Sequence, residues 1–352
     1  MRISQIDGLR GISCVMIILY HLEAYYTPNI ITNNFFIRQS FIFVDVFFVL
    51  SGFVISLNYS KIDSFFDIKI FLKRRFFRLY PLLFFTASLY LVYFIFRDIL
   101  FRNGFSHFFN FDRSNILIDF IDYLETILLS NSSPVLGTSI GVNTPSWSIS
   151  AEFYCYILFC LIGILRKKIS VIFLTSSIML FSMALIYLTT DGYFQTRTYG
   201  FLRAFIGFNM GSIVYYFHKK IRLKTLPCFV SFISVFIFLM HMYFLNIKIY
   251  NKLQIIILTP IVISFLVYSV ISLKRKNILS SSIVFQYLGK ISFSIYLNHL
   301  FILIYIPKIL NFLGLNLSYL HNQLLTILMI FILTIGLSHI TYLKIEKFYT
   351  KK

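Results

Sequence analysis

The chain of 352 residues is 58% hydrophobic and 13% charged, where an ordinary soluble chain carries about 25% charge. Its 43 Phe and 24 Tyr exceed the aromatic surface that one soluble core could hide. The net charge of +19 lies in short Lys/Arg clusters between apolar runs, not in a basic stripe with stacking aromatics; this excludes a nucleic-acid partner and points to an all-α integral membrane protein, one domain over 1–352.

Ten apolar stretches are expected to cross the bilayer as helices, each near the ~20 residues that span ~30 Å of hydrocarbon. The first, 11–28, follows Arg2 and Arg10 as a signal peptide would, but no small-residue cleavage site comes after it. It reads as a retained span, weakened by His21 and Glu23. The second is 41–58. The third, 80–97, has Pro81 near its start and follows the basic run LKRRFFRLYP (72–81). The long segment 98–146 carries Asp98, Asp112, Asp119, Asp122 and Glu125 against two arginines, Arg102 and Arg113. Within it, ILIDFIDYLETILLS (116–130) sets Asp119, Asp122, Glu125 and Thr126 on one stripe of an otherwise apolar helix. A helix lying on the outer leaflet and a packed loop helix both fit that pattern. The remaining spans are 147–165, 169–189, 199–217, 226–245, 253–273, 291–311 and 322–343.

Most of the basic residues fall in alternate connections: Arg2 and Arg10, Lys61 through Arg78, Arg166–Lys168, Lys219–Lys224, Lys274–Lys276, Lys290 and the Lys residues after 343. The positive-inside rule then puts both termini in the cytoplasm and 98–146 outside. The cysteines (Cys14, Cys155, Cys160 and Cys228) sit within or beside apolar runs, with no C-x-x-C pair and no His/Cys ligand spacing. Neither a disulfide nor a metal site is expected.

His21, Glu23, Asp45 and Glu152 lie within the first, second and fourth spans, where a charge costs roughly 2.5–3.5 kcal/mol on insertion scales. At a helical rise of ~1.5 Å per residue, His21 sits roughly 9 Å, Asp45 about 6–7 Å and Glu152 about 7 Å below the outer ends of their spans. The expectation is one buried polar layer, in which Asp45 or Glu152 orients His21 as general base toward a hydroxyl. A structural hydrogen-bond knot or a proton path would use the same residue types.

On the inner side, Arg10 precedes His21 by close to three helical turns, so both project from one face, and Asp7 lies three residues before Arg10 and can pair with it. Arg75 and Arg78 are also three apart. Arg forks bind phosphate oxygens bidentately, as an acyl-coenzyme A head group requires, although such a cluster can equally be a topology signal. In ISFSIYLNHL (291–300), Ser294, Tyr296, Asn298 and His299 give span nine its hydrogen-bonding faces.

Five segments occur in order along the chain: DGLRGISCVMIILYH (7–21), VDVFFVLSGF (44–53), RRFFRLYP (74–81), WSISAEFY (147–154) and GKISFSIYLNH (289–299). Together they resemble the signature blocks of the acyltransferase-3 family of integral-membrane bacterial O-acyltransferases, and they cover essentially the whole chain. The resemblance implies an enzyme of the bacterial cytoplasmic membrane that moves an acyl group, most simply acetyl from acetyl-CoA, to a hydroxyl of an extracytoplasmic or lipid-linked glycan such as O-antigen. It matches the family's essential His to His21 and its first-block Asp and Arg to Asp7 and Arg10. The Arg-x-x-Arg motif falls on Arg75 and Arg78, the W-S-x-x-x-E block on Trp147 and Glu152, the second block on Ser51 and Gly52, and the ninth-span block on Tyr296 and His299. The pattern is that of short members with no appended esterase-like domain. A polysaccharide-precursor flippase or a glycan polymerase is the competing class, and neither would need an acyl donor.

Overall fold

A computed structural model describes residues 3–350 except 27, 29–30, 32–33, 60–61, 63, 104–115, 134–140, 167, 222–227, 274–276 and 318. All regular structure among the described residues is helical. Ten long helices occupy the ten expected stretches: α1 Ser4–Tyr25, α2 Phe43–Asn58, α3 Phe65–Arg102, α5 Trp147–Leu165, α6 Val171–Thr189, α7 Gly200–Ile221, α8 Cys228–Asn246, α9 Lys252–Ile271, α11 Ser292–Phe312 and α12 Leu320–Thr341. Between them lie α4 Ile116–Ile127 and the short α10 Ile283–Lys290, and a π-helical turn, Tyr342–Glu346, follows α12.

Eight of these helices are long and apolar enough to cross a membrane by composition alone; the two that fall short are α1 and α7. They carry the expensive residues: Asp7, Arg10, His21 and Glu23 on α1, and Arg203 on α7. Rings and aliphatic side chains such as Phe173, Phe181 and Leu188 on α6, Phe232 and Phe236 on α8, and Leu328 and Ile332 on α12 stay exposed on the bundle exterior. In water such a surface would drive association; in lipid it is the solvated face.

The innermost packing joins α2 to α7. A Cβ on Gly52 would overlap the Phe208 carbonyl oxygen, and one on Gly211 would overlap that of Val49, so paired glycines let the two backbones touch. Gly52 is thereby a packing residue. Both chain ends gather at one end of the bundle. Gln5 donates to the Leu273 carbonyl (3.2 Å), Gln286 to that of Ser4 (2.7 Å), and Tyr349 stacks on Phe77 at 6.2 Å. Arg10, Arg75 and Arg78 lie toward this end.

One expectation needs correction. The basic run 72–81 is not a loop. Helix α3 runs 38 residues through Pro81, about 57 Å at 1.5 Å per residue, started by a Ser64–Asp67 capping box. Arg75 and Arg78 therefore ride on a helix that extends beyond the hydrocarbon. The stripe on α4 turns inward, with Asp119 paired to Arg97 (2.9 Å) and Glu125 and Thr126 fully buried, while Leu117, Ile118, Phe120 and Ile121 face outward. Of the cysteines, Cys14, Cys155 and Cys160 are buried and free; the Cys228 side chain lies outside the described residues.

Candidate active site

Among the cavities in the described residues, two matter to the expected site residues. At the basic end, a narrow one of ≈ 90 Å³ is lined by Arg10, Ser51, Arg75, Arg78, Glu152 and Tyr156, among others. At the opposite end, one of ≈ 500 Å³ is lined by His21, Trp147, Arg203 and the rings of Tyr20, Tyr25, Phe41 and Phe194. Val44 of α2 and Tyr296 of α11 line both. Tyr296 is buried, accepts a hydrogen bond from Ser148 Oγ (2.8 Å) and meets the edge of Phe47 at 6.2 Å.

The inner cavity gathers three arginines, Arg10, Arg75 and Arg78, around one carboxylate, Glu152. The Arg75 guanidinium packs over the rings of Tyr59 (4.8 Å), Phe71 (5.7 Å) and Tyr156 (5.8 Å), which holds the group by its face. Its buried Nε has no acceptor among the described residues. A flat cation fixed by its face with an unused donor suits a bidentate acceptor such as phosphate. Arg78 lies 3.9 Å from Glu346, a residue of the π-helical turn that is 4% exposed and also accepts from Ser294 Oγ at 2.9 Å. Glu346 was not singled out from the sequence, since it sits in an ordinary-looking basic tail; a single-turn π-helix at a polar cluster is the structural signal.

Glu152 does not meet His21. Its carboxylate accepts from Ser51 Oγ (2.5 Å) and Tyr156 OH (2.6 Å) and belongs to the inner cavity. Asp45 is also elsewhere: fully buried, it takes Nε and Nη2 of Arg203 at 2.9 and 2.6 Å and the Tyr193 hydroxyl at 3.1 Å. Burial beside this carboxylate pushes the Tyr193 phenol, in the connection between α6 and α7, well up from its ordinary value, so it stays a donor. The expected single polar layer is therefore three separate clusters, and neither carboxylate orients His21.

His299 does. Its Nε2 is 3.1 Å from His21 Nδ1, with the rings 4.9 Å apart, and its Nδ1 faces the Ile295 carbonyl at 3.2 Å. The two histidines come from α1 and α11, which pack side by side. Arg10 and His21 share helix α1 as expected but serve opposite cavities, Arg10 the inner and His21 the outer. Asp7 sits where α1 meets Gly289, close enough that a Cβ there would strike its carbonyl oxygen, and its charge acts on Arg10. Trp147 is 5% exposed, with Arg203 5.4 Å over its ring. Asn298 is spent on Ser294 O and Thr341 (both 2.8 Å). Arg203 escaped the sequence reading because a lone Arg inside span six carries no motif, although its intramembrane position is itself a signal.

Among known proteins, the acyltransferase-3 family model, described as an acyltransferase domain, matches residues 3–343. "Protein 2 in picA locus" of Rhizobium radiobacter is 36% identical over 92 residues, which are 26% of this chain and 44% of that protein. The match thus spans under half the length of that relative. No solved structure matches the chain.

Proposed function

The chain belongs to the acyltransferase-3 family and is a multi-pass membrane acyltransferase, and we propose that it carries an acyl group, most simply acetyl, from cytoplasmic acyl-CoA to a hydroxyl of an extracytoplasmic glycan such as O-antigen in the bacterial inner membrane. The observation that carries this reading is the pair of cavities with opposite chemistry that share Val44 and Tyr296.

In the inner cavity, Arg75, Arg78 and Arg10 bind the phosphates of the donor. The donor's thioester supplies the activated acyl carbonyl. Ser51 and Tyr156 hold Glu152 in place beside the arginines. In the outer cavity the aromatic rings stack on the sugar, and His21 takes the acceptor hydroxyl's proton as the oxygen attacks the acyl carbon. Val44 and Tyr296 must let the acyl-bearing arm reach His21, while the arginine-bound phosphates stay inside. A lipid-linked glycan would enter from the outer leaflet.

The test compares acylation of surface polysaccharide in cells carrying wild type, His21→Ala or Arg75→Ala at matched membrane levels. Wild type should add the acyl group and both variants should lose it. Wild type that acylates no glycan while its deletion blocks glycan export would replace this reading with that of a flippase.

A further inference from the structure

The His21–His299 pair contains more than proximity, because the backbone carbonyls beside it decide where the protons are. His299 is fully buried, and its Nδ1 faces the Ile295 carbonyl oxygen at 3.2 Å. A carbonyl oxygen can only accept, so that nitrogen carries the proton and Nε2 of the neutral ring is bare. His21 Nδ1 lies 3.0 Å from the Ile17 carbonyl and 3.1 Å from His299 Nε2. Both neighbours are acceptors, so His21 Nδ1 must be the donor, its N–H shared between them. The remaining nitrogen, His21 Nε2, has no partner among the described residues and is not among the sealed unpartnered atoms, while its side chain lines the outer cavity.

We propose that His299 is the positioning residue of the acyl transfer: its bare Nε2 accepts the Nδ1–H of His21, which locks His21 in the tautomer whose bare Nε2 faces the acceptor cavity. The inference rests on the reading of His21 as general base. During transfer, the hydroxyl proton moves to His21 Nε2 as the oxygen–carbon bond forms. The carbon–sulfur bond breaks, and the departing thiolate takes that proton, leaving an ester and a free thiol. In between, His21 is an imidazolium, and its Nδ1–H bond to His299 strengthens because the donor is then charged. Here a neutral imidazole in a lipid-embedded bundle does what a carboxylate does for histidine elsewhere, without adding a negative charge to the bundle. The carboxylates near at hand are already engaged, Asp45 by Arg203 and Glu152 by Ser51 and Tyr156.

The deciding experiment is nitrogen NMR of the full-length protein in lipid nanodiscs with ring-labelled histidine, the His21 signals being those lost in His21→Asn. The expected spectrum has the proton on Nδ1 and a bare Nε2; a proton on Nε2 overturns the proposal. Kinetics supply a second arm. His299→Phe should lower turnover by at least about 100-fold with binding of coenzyme A unchanged, and His299→Gln, whose carbonyl can accept the same N–H, should recover most of it. Full turnover in His299→Phe, or loss of coenzyme A binding alongside turnover, would show that His299 does not act through His21. A wild type that transfers no acyl group would defeat the functional reading, while the NMR result would still decide the tautomer.

Discussion

Replacing Asp45 by Leu strands a guanidinium deep inside the bundle. Arg203 is 2% exposed and directs Nε and Nη2 at this one carboxylate, at 2.9 and 2.6 Å; Tyr193 also donates to it at 3.1 Å. Removing one partner of a buried ion pair costs about 3–5 kcal/mol, because the remaining charge is left without compensation. Replacing both by apolar residues of similar volume is close to neutral. Asp45→Leu should therefore lose about 4 kcal/mol, roughly a 1,000-fold shift in the opening equilibrium, and Asp45→Leu/Arg203→Met should regain most of it. The buried thiols of Cys14, Cys155 and Cys160 provide the assay: their rate of alkylation, followed against temperature in detergent on a Cys228→Ser background, reports opening of the bundle. An Asp45→Leu protein that opens at the wild-type temperature would refute the argument. So would a double variant no more stable than the single one, since the pair would then not be the source of the loss.

Arg75→Ala should weaken binding of coenzyme A by about 10- to 100-fold, the loss of a charged hydrogen bond, and Arg75→Lys should not restore it, because an ammonium lacks the flat face that Tyr59 holds; titration calorimetry in nanodiscs measures both. His21→Ala should abolish transfer yet leave that binding intact, since His21 lies on the other cavity. Gly52→Ala should force α2 from α7 at a cost of about 1–3 kcal/mol, whereas Gly336→Ala, whose Cβ meets nothing within 4 Å, should cost nothing in the same thiol melt. Tyr296→Ala should make proteoliposomes leak protons, as read by an entrapped pH dye, and Tyr296→Phe should keep them tight.

Hydropathy and charge clustering were enough to locate all ten long helices, including α1, whose His21 and Glu23 weaken its apolar run. The ends of α3 were not legible, because Pro81 and the basic run read as a boundary. In fact a helix runs through a proline whenever other groups satisfy the carbonyl it leaves free. The residues of the site were legible one by one, since ionisable groups in apolar runs stand out. Their partners were not. Depth along a helix places His21, Asp45 and Glu152 at similar heights, but rotation about each axis decides which neighbour a side chain meets, and that depends on packing such as Gly52 against Phe208. Spacing along one chain cannot report it, so Arg203, Glu346 and the pairing of His299 emerged only from the fold.

The thin partition where Val44 and Tyr296 line both cavities has an electrical consequence. Water reaching in from both faces would carry the potential of each compartment to within a side chain's width of the other. The membrane voltage then falls across that partition instead of across ~30 Å of lipid. A unit charge crossing it meets nearly the full drop, about 2.3 kcal/mol per 100 mV, whereas an uncharged acyl group crosses at no electrical cost. With the cell interior negative, the field would pull a phosphate-borne charge outward, and the arginines proposed to bind the donor would hold it back.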